Sequence, residues 1–315
     1  MDEAFNSVSR YLTEAERALA GWGIPYEKDA AGVIRVGTLD ISGKGLTSLP
    51  DLTKVIVTGD YLCDNNKLTS LKGSPRQVGG NFNCHWNQLT SLKGAPSTFG
   101  GSLSASDNPL TSLEGAPDTV RGDFCVAQCR LTSLAGGPSV VLGGFSADRN
   151  RLTSLEHGPT RVTGYYSCNG NPLTSLKGAP RSVGGFFSCS GTRVTTLEGA
   201  PKIVGEDFFA DSCKLTSLKG APRLVPRSFD CARNSLEHLE GGPVSVGGDY
   251  HCTLNPLPSL EGAAVSFTTL VTDFGDFRTW DEVPFPLRHD ADRTALAATV
   301  LGASLSLGKP LKFAR

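Results

Sequence analysis

Val78-Gly79-Gly80-Asn81-Phe82-Asn83-Cys84-His85-Trp86-Asn87-Gln88-Leu89-Thr90-Ser91-Leu92 is one unit of a pattern that fills most of this chain. Within it Phe82 and Cys84 alternate with polar Asn81, Asn83 and His85, the period of two that marks a short strand with one buried face. Leu-Thr-Ser-Leu, or a close variant, begins at Leu46, Leu68, Leu89, Leu110, Leu131, Leu152, Leu173, Val194, Leu215, Leu236 and Leu257. All intervals are 21 residues except the first, at 22. A fixed period of roughly 20–29 residues built on Leu-x-x-Leu predicts a solenoid with one coil per repeat.

The rest of the unit falls into columns. An aromatic or leucine recurs as Tyr61, Phe82, Leu103, Phe124, Phe145, Tyr166, Phe187, Phe208, Phe229 and Tyr250, which predicts an internal ladder of rings on parallel strands. Cys63, Cys84, Cys168, Cys189, Cys231 and Cys252 share a column with Ala105, Val126, Ala147 and Ala210, so that column reads as small, apolar and buried. Cys129 and Cys213 stand in the turn column where most repeats carry Asn, as Asn66, Asn87, Asn108, Asn150, Asn171, Asn234 and Asn255. An inward Asn amide there can serve the backbone groups of two coils. The nine cysteines thus read as structural thiols, with Cys125 alone outside these columns. Gly-x-Pro follows most units, leaving room for a turn and an extended or 3₁₀ return segment but not for a helix.

These columns resemble the leucine-rich repeat family, in particular its short bacterial subclass, whose Leu-Pro-x-Leu signature is similar to Leu49-Pro50-Asp51-Leu52. The later Gly-Ala-Pro-x-x-Val-Gly-Gly versions resemble repeat proteins of bacteriophages and related mobile elements. The resemblance implies a β-rich solenoid with one parallel sheet and a protein-binding role. Effector enzymes of the family carry a separate ubiquitin-ligase domain of a few hundred residues after the repeats. Only about 44 residues follow Val271 here, with no cysteine among them, so that activity is not carried over.

Three regions are expected: a capping helix in 1–24, the solenoid in 33–272, and a cap and tail in 273–315. Phe5, Val8, Leu12, Ala15, Leu19 and Trp22 form a helical apolar stripe. Asp273 to His289 reads as an extended flap over the last coil, and 292–304 as a short helix. The formal net charge of −1 argues against a generic nucleic-acid binder. The first residues carry no secretory pattern and no apolar run is long enough to span a membrane, so a soluble, cytoplasmic protein is expected. Histidines 85, 157, 238, 251 and 289 fall in unrelated places, and the Gly-Gly pairs precede no helix. No catalytic set, metal site or cofactor is therefore predicted.

The positions free to vary are the outward ones on the strands. The first outward column is Asp60, Asn81, Ser102, Asp123, Gly144, Tyr165, Phe186, Asp207, Ser228 and Asp249. The second is Leu62, Asn83, Ser104, Cys125, Ser146, Ser167, Ser188, Phe209, Asp230 and His251; the third is Asp64, His85, Ser106, Ala127, Asp148, Asn169, Ser190, Asp211, Ala232 and Thr253. Together they hold eight aspartates and neither Lys nor Arg, while Lys67, Arg130, Arg151, Arg193 and Lys214 line the adjoining turn. Tyr165, Phe186 and Phe209 are expected to cluster as an exposed aromatic patch beside Asp207, Asp211, Asp230 and Asp249. That predicts a non-enzymatic docking surface for a protein with a basic, partly apolar patch, a bacterial host factor if the chain is of mobile-element origin. The alternatives are a structural assembly component, and a nucleic-acid role through the basic edge or an acidic mimic face.

Overall fold

The computed structural model describes residues 12–288. Helix α1 spans Glu14–Gly21. Thr13 caps it: the hydroxyl oxygen accepts the N–H of Glu16 at 3.3 Å, and the Glu16 carboxylate accepts the N–H of Thr13 at 2.8 Å. That second bond first, and then Lys28 at 2.9 Å, hold the Glu16 carboxyl down to about 2. Ala15 and Leu19 are buried and Trp22 packs on the same core, as the stripe requires. Leu12 precedes the helix, and Phe5 and Val8 lie outside the described residues.

From Leu39 onward the chain winds into the coils that the period predicts. Their aromatic strands form one thirteen-stranded sheet that runs from Leu39–Asp40 to Gly275–Phe277. Residues one repeat apart are partners, as in Phe82↔Leu103 and Phe124↔Phe145, all parallel until the final hairpin. Every side chain in the ring column is fully buried, and Tyr61 stacks on Phe82 at 5.2 Å with the planes 5° apart. The leucine and Cys/Ala/Val columns fill the remaining interior. All nine cysteines are free thiols; eight are buried and Cys125 is half-buried.

The return segment does more than extend. Two-residue strands such as Gln77–Val78, Thr98–Phe99 and Thr119–Val120 pair from coil to coil in a second set of parallel ladders, which the sequence pattern did not predict. Their second residues, Val78, Phe99 and Val120, are buried, and Phe99 meets Phe82 at 6.2 Å. Where the step between the two strands is Gly-Gly the coils approach closely, whereas Thr58, Arg121, Leu142 and Thr163 fill the first position in other coils. A Cβ on Gly100 would lie 2.0 Å from the carbonyl oxygen of Gly79.

The turn column works as expected. Asn108 presents its amide nitrogen to the carbonyls of Cys84, Ala105 and Ser106 at 3.0, 3.1 and 3.2 Å, and its oxygen accepts the N–H of Leu89 at 3.0 Å. Each Asn therefore ties one coil to the preceding one while satisfying buried backbone groups that have no strand partner. Cys129 and Cys213 keep part of this role, each donating its thiol to the carbonyl that an Asn would meet, Ala105 at 3.6 Å and Cys189 at 3.2 Å.

The C-terminal flap differs from the extended segment predicted. Thr269–Thr272 adds a last parallel strand to Tyr250, then folds back on Gly275–Phe277 as an antiparallel hairpin. Two 3₁₀ turns follow, Trp280–Glu282 and Phe285–Leu287. Phe277 and Val283 close the core, and the Trp280 indole N–H donates to Ala264 at 3.1 Å while its ring meets Phe267 edge-on at 5.6 Å. The hairpin is local sheet closure, so its strands straddle position 272. The helix expected over 292–304 lies outside the described residues.

Candidate docking face

The outward columns are less free than alternation alone implies. In the first column each polar side chain except that of Asp249 accepts the backbone N–H of its counterpart one coil on. Asp60 takes Asn81 at 2.6 Å, Asn81 takes Ser102 at 2.8 Å, Ser102 takes Asp123 at 2.9 Å, and Asp123 takes Gly144 at 2.6 Å. The ladder resumes when Asp207 accepts Ser228 at 2.9 Å and Ser228 accepts Asp249 at 3.3 Å. Asp207 also lies 3.8 Å from Arg227. These aspartates therefore hold the coil edges together, which corrects the view of the column as unconstrained surface.

Between those two runs the ladder stops. Among the described residues Gly144, Tyr165 and Phe186 take no N–H from the next coil, and here the aromatics gather. Tyr165 and Phe186 stack at 5.0 Å with planes 7° apart, and Phe186 meets Phe209 edge-on at 6.1 Å. Tyr165 lies across Gly144, where an added Cβ would fall 2.0 Å from the ring, and its hydroxyl reaches the Cys125 sulfur at 3.8 Å. One tyrosine thus spans three coils. Its hydroxyl pKa is raised above the usual phenol range, by burial first and then by Cys125. All three rings are half-buried rather than fully exposed, because they pack on each other and into the gap at Gly144.

Beside them the second and third columns form a connected polar network. The Ser167 hydroxyl donates to Asp148 at 2.6 Å, the amide of Asn169 donates to Ser167 at 3.0 Å, and Ser188 donates to Asn169 at 2.6 Å. Ser190 donates to Asp211. Ser167 and Ser188, placed outward by alternation, are only 4% and 3% exposed. The network floors a shallow groove of about 480 Å³ along Asp148, Asn169, Ser190 and Asp211. Its far rim is the left-handed turn residue of each coil. That residue is Gln128 and Arg149 in two coils, but glycine at Gly170 and Gly191 and serine at Ser212. The missing side chains open the groove.

Asp211 lines one end of the groove, and Asp230 and Asp249 stand on the next two coils. Burial, with Asp211 as the nearby like charge, raises the Asp230 carboxyl above its ordinary value. Asp249 sits 4.0 Å from His251. Asp148, Asn169, Ser190, Ser167 and Ser188 are absent from the predicted site. Their signal in the sequence was the coincidence of Gly170 and Gly191 with the two coils that carry Tyr165 and Phe186. The basic turn residues Lys67, Arg130, Arg151, Arg193 and Lys214 are exposed, flanking this face.

Cys213 has a thiol pulled below the usual range by hydrogen bonds to Cys189 and then Thr192, but it is 4% exposed and opens onto no groove. Among the described residues, no three His, Cys, Asp or Glu side chains gather as metal ligands, and no helix is long and apolar enough to cross a membrane.

No family model matches the chain, and no curated protein matches it. Among solved structures it is similar to YopM from Yersinia enterocolitica WA-314, at 21% identity and a TM-score of 0.54. The match covers 73% of this chain and 54% of that one, so it spans about half the length of YopM.

Proposed function

From its leucine-rich-repeat fold, a β-solenoid of short coils, we propose that this protein is a non-enzymatic scaffold that binds another protein on its strand face. The observation that carries the reading is local. Over Gly144, Tyr165 and Phe186 the ladder that elsewhere consumes outward side chains is suspended, and aromatic side chains stand beside an open, acid-ended groove. Half-buried aromatics held rigid by mutual packing are the anchors that dominate protein interfaces. The partner surface is basic and partly apolar, to complement Asp148, Asp207, Asp211, Asp230 and Asp249 and the rings. A cytoplasmic bacterial host factor, met by a phage or mobile-element product, fits the repeat type. The same carboxylates repel phosphate, which argues against nucleic acid on this face.

The test is a pull-down from bacterial lysate with the wild-type protein and with a Tyr165→Ala, Phe186→Ala, Phe209→Ala variant, each first shown folded by circular dichroism. One protein captured by the wild type, lost by the variant and bound again as a purified component supports the reading. A partner captured equally by both proteins would overturn it. Discrete self-assembly with no partner would favour a structural role.

A further inference from the structure

The groove suggests what form the partner takes. Resting on the docking reading above, we infer that it receives an extended peptide segment lying along the solenoid axis, with Lys or Arg side chains four residues apart seated on Asp148 and Asp211.

The spacing carries the argument. Asp148 and Asp211 occupy the same column three coils apart, and strands in a sheet repeat every ~4.8 Å, so the carboxylates stand about 14 Å apart along the axis. An extended chain rises about 3.3–3.4 Å per residue and returns to one face every second residue, so side chains at i and i+4 are separated by about 13–14 Å. An i, i+3 pair points to opposite faces, and an i, i+2 pair reaches only about 7 Å. The residue at i+2 then lies over Asn169 and Ser190, whose amide and hydroxyl can meet a backbone or a small polar side chain.

The carboxylates are prepared for cations. Ser167 and the backbone N–H of Asn169 bond one oxygen of Asp148, leaving the other oxygen without a hydrogen bond. Ser190 and Ser212 orient Asp211. Neither carboxylate has an ion-pair partner among the described residues, although Arg149 lines the same groove; the stem of Arg149 lies against Gly170. At Gly170, Gly191 and Ser212 the rim carries no cation, so a basic segment can enter there without repulsion. A carbohydrate is a weaker fit, because stacked sugars need an open ring face. One face of Tyr165 is covered by Phe186, and the ring fills the space over Gly144.

The test is fluorescence anisotropy with labelled, uncharged-terminus peptides of equal composition that carry two lysines at i, i+2, at i, i+3 or at i, i+4. The i, i+4 peptide is expected to bind the full-length protein about tenfold more tightly than the others, one charge-assisted contact more than they can make. Asp148→Asn and Asp211→Asn should each remove that preference, since Asn still accepts the bonds from Ser167 or Ser190 and the groove survives. Asp64→Asn, in the same column four coils before Asp148 and outside the groove, should leave it intact. Equal affinity for all spacings, a preference untouched by both Asn variants, or no binding of any peptide would overturn the inference. A pull-down partner that depends on Tyr165, Phe186 and Phe209 but not on Asp148 or Asp211 would leave the docking reading standing and this one refuted.

Discussion

Two stretches of the same solenoid use the same outward column in opposite ways. From Asp60 to Asp123 each side chain accepts the N–H of the next coil, and the surface is an extension of the backbone hydrogen bonding. From Gly144 to Phe186 that bonding is given up, and the column carries a glycine filled by a tyrosine ring and two stacked aromatics. The inner columns stay buried in both stretches. An acidic residue on a repeat surface is therefore no evidence of a binding site until its hydrogen bonds are accounted for. The informative places are those where the structural use of the column lapses.

The largest effect tests whether the interior is uniform beneath this contrast. Asn108→Ala and Asn171→Ala should each cost about 3 kcal/mol or more, since each strands a buried N–H and buried carbonyls. Denaturant midpoints that fall equally would support a common frame; a mild effect in one stretch alone would break it. Replacing Asn108 with Cys, as the chain does at Cys129, should recover part of the loss.

Glycine substitutions should separate the two stretches. Gly100→Ala meets the carbonyl oxygen of Gly79, which only a backbone shift can clear, and should cost more than Gly144→Ala, whose nearest neighbour is the Tyr165 ring, able to swing out at about 1–3 kcal/mol. The near-ultraviolet tyrosine signal should change in the second variant, and partner binding should weaken with it. Similar losses of thermal stability for both would mean that Tyr165 is as fixed as the backbone.

Asp60→Ala should cost about 1 kcal/mol by freeing the N–H of Asn81, while Asp249→Ala, whose carboxylate holds no backbone N–H among the described residues, should be close to neutral. A smaller gain is expected from His157→Gly. His157 sits at φ 64°, in a column where the other turns carry glycine at φ 80–99°, so the change should stabilise by up to about 1 kcal/mol.

The most local effect lies away from both stretches, at the N-terminal cap. The folded Glu16 carboxyl is depressed from 4.5 to about 2, so its contribution is fully present above pH 4.5 and is lost as pH falls toward 2. Thr13→Ala should remove about 1 kcal/mol from α1 at neutral pH, seen as faster amide exchange in Glu14–Gly21 while the coils stay protected.

Much of the molecule was legible in the residues. The 21-residue spacing of Leu-Thr-Ser-Leu, the alternation at Phe82 and Cys84 and the Asn column set the coil, its inward face and its buried hydrogen bonds. These follow from local periodicity, and a solenoid coil touches only its neighbours, so periodicity in sequence becomes adjacency in space. The pairing of the return strands, the outward aspartate ladder, the Tyr165 ring over Gly144 and the burial of Ser167 and Ser188 were decided only by the stacked coils. Each depends on what a residue meets one or two turns away, and alternation reports which face a side chain takes, not what already occupies the space beside it.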